Sequence, residues 1–138
     1  MLDFGSVASM PLSVRRALAS AVNVLVTIAL ALPLLTILDE PLNQRVALVI
    51  TFFSYNLVCE VAFGRCLGGA VAGLRWAGSP SLARRSAFCV LYTVAFVPYV
   101  FLPAWQAIPN LAAQWVWGRL VGGTIHSWLA GVASEAKP

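Results

Sequence analysis

Glu60 is the residue whose type and setting could carry most chemistry: one carboxylate inside a mostly apolar and otherwise uncharged run, 46–64. A carboxylate in a bilayer costs several kcal/mol unless it is paired, and by default it marks a functional position. Asn56 stands one helical turn before it on the same face. Two roles are open to Glu60. It can be a structural ion pair at head-group level with Arg65 or Arg16, which is the reading preferred here, or a proton or cation site. The remaining residues offer less. No nucleophile–base pair and no metal-ligand cluster can be assembled, and Gly64-Arg-Cys-Leu-Gly68-Gly69 lacks the glycine spacing and lysine of a phosphate-binding loop. One histidine, His126, cannot supply a multi-histidine site from a single copy, so it is expected to be a cytoplasmic or interfacial polar residue. Pigment or haem contact through His126 or the tryptophans stays open, but no cofactor, metal site or catalytic residue is expected. Cys59, Cys66 and Cys89 have no metal spacing and are expected to be reduced, buried thiols.

The elements that position these residues follow from composition. Of 138 residues, 60% are hydrophobic and 10% charged, far below the roughly one quarter charged that a water-facing surface uses. The net charge of +4 comes from basic residues set between apolar runs, which favours lipid head groups over nucleic acid as partner. The run 17–38 has no formal charge before Asp39 and is long enough to cross hydrocarbon, which takes about 20 residues. Arg15-Arg16 ahead of it hints at a twin-arginine signal, yet the apolar run exceeds a signal core and no small-residue cleavage site follows, so a retained span is expected. A second span is expected at 46–64 and a third at 86–102, with Pro103-Ala104-Trp105 as a turn. The stretch 104–118 is either a short returning fourth span or an interfacial amphipathic segment. These make an all-α membrane protein, a helical bundle of three transmembrane helices with the fourth left open, in one domain over 1–138. Arginines concentrate before the first span and in 64–85, placing the N-terminus and that loop in the cytoplasm under the positive-inside rule. Gly64/Gly68, Gly69/Gly73 and Gly118/Gly122 have the four-residue spacing that lets helices approach in lipid, though tight turns explain them as well. Trp76, Trp105, Trp115, Trp117 and Trp128 lie near span ends, where interfacial anchoring accounts for them.

Tyr55-Asn-Leu-Val-Cys-Glu60-Val-Ala-Phe-Gly64-Arg65-Cys-Leu-Gly68-Gly-Ala-Val-Ala-Gly73-Leu-Arg75 resembles the central signature of the RDD family of small bacterial membrane proteins. Ser81-Leu-Ala-Arg84-Arg85 resembles the basic stretch after it, and His126-Ser-Trp-Leu-Ala-Gly131 resembles the family's closing motif. The resemblance puts Arg16 at the family's first arginine and implies a cytoplasmic-membrane protein of bacterial type. It also implies two aspartates, but those positions are Asn23 and Ser127 here, and the family lysine is Gly69. The family's suggested roles centre on transport and ion exchange, which need buried ionisable groups. With the scaffold kept and those acids absent, the expectation is a non-catalytic scaffold or accessory subunit of a larger respiratory, photosynthetic or transport complex. Its partners would be the lipid bilayer, other integral membrane subunits and, through the glycine surfaces, a second copy. The alternative is a minimal exchanger using Glu60.

Overall fold

The computed structural model describes residues 9–121 and 123–136. The described chain is mostly helical. In order it forms α1 (Leu12–Ile37), α2 (Pro41–Phe63), α3 (Leu67–Val71), β1 (Leu74–Trp76), α4 (Leu82–Phe101), α5 (Ala104–Val121), α6 (Ile125–Leu129) and β2 (Ser134–Ala136). β1 and β2 make one short antiparallel ladder that pairs Leu74 with Ala136, Arg75 with Glu135 and Trp76 with Ser134. The all-α expectation holds apart from this ladder, which three-residue strands are too short to announce in the sequence.

α1 and α2, of 26 and 23 residues, are long and apolar enough to cross a membrane. The expected count of three spans is thereby corrected to two that meet that requirement. α4 covers the expected third span, but its first turn carries Arg84 and Arg85. The apolar remainder, 86–101, rises only about 24 Å at about 1.5 Å per residue, short of the roughly 30 Å hydrocarbon core. The open stretch 104–118 is helical within α5, which carries Pro109 in its interior. The turn before it falls at Leu102-Pro103, so Ala104 and Trp105 already belong to the helix.

Side-chain burial runs opposite to that of a water-soluble bundle. On α1 the buried stripe is Arg15, Ala19, Asn23, Thr27 and Ala31, and on α2 it is Phe52, Asn56 and Glu60, one residue per four on a single helical face. The outer faces are apolar: Leu25 is 66% exposed, Phe63 76% and Leu120 80%. Exposed apolar surface on this scale is more than a water-facing surface usually leaves open.

The connections are chemically specific. Pro41 occupies the first turn of α2, where its missing N–H is no loss. Gln44 donates its amide to the carbonyls of Leu35 and Leu38 at 3.2 and 2.7 Å, satisfying the otherwise orphaned end of α1. α2 stops at Gly64 in the left-handed conformation. Ser81 caps α4 by accepting from the Arg84 N–H, and Thr124 caps α6 by accepting from the Ser127 N–H. An aromatic column fills the interior between α2 and α4: Phe52 stacks on Phe96 at 4.1 Å and meets Tyr92 edge-on at 5.0 Å.

Candidate functional site

Glu60, one turn before the end of α2, is buried. Its Oε2 accepts a hydrogen bond from Trp76 Nε1 of β1 at 2.8 Å. Arg85 of α4 donates from Nη1 to the Glu60 backbone carbonyl at 2.9 Å and lies 4.0 Å from Oε2. The hydrogen bonds set the geometry, and the ion pair is at the edge of direct contact. Arg85 Nε is buried with no hydrogen-bond partner among the described residues, so this pair fixes orientation more than it stabilises. The expected partner of Glu60 is corrected: Arg85 takes the place assigned to Arg65 or Arg16. Asn56 donates back to the Phe52 carbonyl of its own helix at 2.8 Å and serves the interior of α2.

A second knot joins α1 to the segment after α2. Arg15, only 4% exposed, donates from Nε to the Ala72 carbonyl at 2.8 Å and from Nη2 to the Gly73 carbonyl at 2.6 Å. Further along α1, on the same buried face, Asn23 Oδ1 accepts from the Gly68 N–H at 2.9 Å and from the Tyr55 hydroxyl at 3.2 Å. Its Nδ2 donates to Cys66 Sγ at 3.0 Å. The Tyr55 hydroxyl in turn accepts from the Leu67 N–H at 3.1 Å. Asn23 and Tyr55 thus cap the first turn of α3. Burial pushes the Cys66 thiol above its ordinary pKa, which keeps it a neutral acceptor.

Between these knots lies a cavity of about 90 Å³. Residues of its wall include Arg16, Arg65, Arg75, Glu60, Asn23, Tyr92, His126 and Ser127. His126 stacks on Tyr92 at 4.9 Å and tilts against Phe88 at 5.1 Å. It is 8% exposed, and burial pushes its pKa down from 6.5 to about 4. The unfolded chain takes up that proton near pH 6.5 and the folded chain only near pH 4. Stability from this source is therefore complete above about pH 6.5 and is lost as the pH falls toward about 4, by about 3 kcal/mol. Thermal unfolding of the detergent-solubilised protein at pH 7.5 and 4.5 reads this. His126→Phe is expected to flatten the dependence, and an equal slope in both proteins contradicts it.

The structure brings together most of the residues singled out in the sequence. Glu60, Arg16, Arg65, Asn23, His126, Ser127 and Gly69 line one cavity, while Asn56 does not. The glycines divide by role. Gly64, Gly73 and Gly131 have positive φ and make turns, whereas Gly68 is a true close approach, since a Cβ there would fall on the Ala19 carbonyl oxygen. Gly118 lies in α5, and its spacing partner Gly122 is outside the described residues. Trp105, Trp115 and Trp128 are exposed as anchors would be, but Trp76 is a hydrogen-bond donor to the buried carboxylate. Of the cysteines, all three are free, and only Cys89 is fully buried. Sequence reasoning missed Arg15, Trp76 and Arg85 as site residues. Arg15 and Arg85 each sit beside a second arginine, and Trp76 ends a three-residue strand, where periodicity gives no signal.

No protein-family model matches the chain, and no curated protein or solved structure matches it.

Proposed function

We propose that the chain is a multi-pass membrane protein of the bacterial cytoplasmic membrane, a divergent member of the RDD family, with its N-terminus and the α2–α4 connection in the cytoplasm. In this role it is a non-catalytic scaffold or accessory subunit of a larger membrane assembly. The observation that carries the proposal is the fate of its buried charged groups. Arg15 is consumed by two backbone carbonyls and Glu60 by Trp76 and Arg85, while the outward faces of the long helices are apolar. Such a molecule is built to hold its own shape and to present packing surface. α4 and α5, too short or too broken to stand alone in lipid, gain from helices of a neighbouring subunit. The test is migration of the endogenous protein extracted in a mild detergent. It is expected to run in one stoichiometric band with other integral membrane proteins, and deletion of the chain is expected to diminish that band. Migration as an isolated chain contradicts the proposal.

A second reading, a minimal ion exchanger, is favoured by one specific observation: Glu60 shares its cavity with Arg16 and Arg65. Against it stands the engagement of Glu60 in fixed hydrogen bonds, together with the neutral Asn23 and Ser127 at the family's acidic positions. An exchanging carboxylate must release its protein partners to take up a cation.

A further inference from the structure

We propose that the cavity between α1, α2, α4 and α6 binds a phosphate-type oxyanion, presented in a membrane by the head group of an anionic lipid. The lipid source rests on the bilayer reading above; the anion chemistry does not.

Four observations converge. At about 90 Å³ the space is several times the roughly 10–15 Å³ that one water needs, so it has room for a polyatomic group. Three arginines line it against a single carboxylate, and that carboxylate is already held by Trp76 and by Arg85, a fourth guanidinium outside the lining. Arg16 of α1 and Arg65, between α2 and α3, reach that wall from two different segments of the chain. Guanidinium forks match phosphate oxygens in a way that ammonium groups do not.

His126 is the independent pointer. Its imidazole is more than nine-tenths buried and lines the cavity. It makes ring contacts with Tyr92 and Phe88, yet no hydrogen bond engages its nitrogens among the described residues. A buried imidazole in that state has a donor to give to whatever enters. Ser20 supplies another, since its hydroxyl accepts from Tyr92 at 3.0 Å and keeps its own proton to donate. The remaining wall is apolar and aromatic, including Phe88 and Leu74, as suits the glycerol and first methylenes beneath a head group. Arginine-lined pockets between helices at the cytoplasmic face are the general form of anionic-lipid sites.

The experiment is native mass spectrometry of the full chain in mild detergent, titrated separately with phosphatidylglycerol, phosphatidylcholine and inorganic phosphate. Wild type is expected to retain phosphatidylglycerol at least tenfold better than phosphatidylcholine. Arg65→Gln is expected to reduce that preference several-fold, the Arg16→Gln/Arg65→Gln double variant to abolish it, and His126→Phe to weaken it. Retention of phosphatidylglycerol without phosphate binding assigns the lipid as source, and phosphate that binds and displaces phosphatidylglycerol assigns a soluble anion; both support the site. Equal retention of the two lipids with no phosphate binding overturns it. So does a preference unchanged in the double variant, or in Arg65→Gln alone if the double variant does not fold. Should the chain fail to float with membranes, the bilayer reading falls, and the inorganic phosphate titration still decides the anion site.

Discussion

Arg15→Met is expected to remove folded protein almost entirely. Arg15 is the buried cation at the start of α1, and its two hydrogen bonds end on the carbonyls of Ala72 and Gly73 at 2.8 and 2.6 Å. Hydrogen bonds from a charged donor each contribute about 1.5–3 kcal/mol, and buried carbonyls left without a donor cost more. The two bonds together, about 3–6 kcal/mol, are a large share of the roughly 5–15 kcal/mol that holds a domain together. Arg15→Lys keeps the charge but cannot reach both carbonyls with a planar fork, so it is expected to be intermediate. Fluorescence-detected size exclusion and thermal unfolding in detergent give the readout. An Arg15→Met protein that melts with wild type would show that the α1–α3 junction is held by something else.

The second large effect is expected at Gly68 and not at its neighbour. A Cβ on Gly68 would overlap the Ala19 carbonyl oxygen and crowd Asn23 Oδ1. α3 must then lift from α1, losing the 2.9 Å bond from the Gly68 N–H to Asn23. Overpacking of this kind against rigid backbone costs about 3 kcal/mol or more. Gly69→Ala meets only Cys66 Sγ at 3.7 Å and Arg65 Cβ at 4.0 Å, ordinary van der Waals distances, and is expected to change stability by less than about 1 kcal/mol. The pair is therefore internally controlled. Equal melting temperatures for Gly68→Ala and Gly69→Ala would show that α3 does not pack on α1 as described.

What the sequence disclosed and what it hid follow from different physics. Long apolar runs announce helices because length and hydropathy are local properties, so α1, α2 and the break near Pro103 were legible. The special standing of Glu60 was legible for the same reason, as one charge in a run that excludes charge. The partner of Glu60 was not. Arg16, Arg65, Arg84 and Arg85 are interchangeable to any rule that counts charge, and only the fold of the α2–α4 connection brings Arg85 to the Glu60 carbonyl. That connection reads as a basic glycine-rich loop. It contains α3 and β1 because Gly68 permits close packing and because β1 finds β2 about sixty residues away in sequence, a non-local pairing with no local signature. Trp76 was hidden by a general rule, since tryptophans near span ends usually anchor at the interface. The separate places of the arginine pair at the start of α1 are hidden for a similar reason. Arg15 and Arg16 differ by one residue, and a turn of about 100° around the helix sends the first into the protein and the second to the cavity wall.

On this account the buried polar groups tie helices together and do not move ions. Proton-coupled sodium or potassium exchange by the purified chain, reconstituted alone into proteoliposomes, tests that most directly. The wild type is expected to show none, and Glu60→Gln none, with Glu60→Gln also lowering the melting temperature because Arg85 loses its counter-charge. The Asn23→Asp/Ser127→Asp variant is expected to be neutral or mildly destabilised. The carboxylate introduced in place of the Asn23 amide would still accept from Gly68 and Tyr55 but lose the donor to Cys66. Exchange that appears only in that variant would reveal a silenced exchanger and leaves the structural role of the present residues intact. Robust exchange by the unmodified chain that Glu60→Gln abolishes, with melting temperature unchanged, would contradict the account.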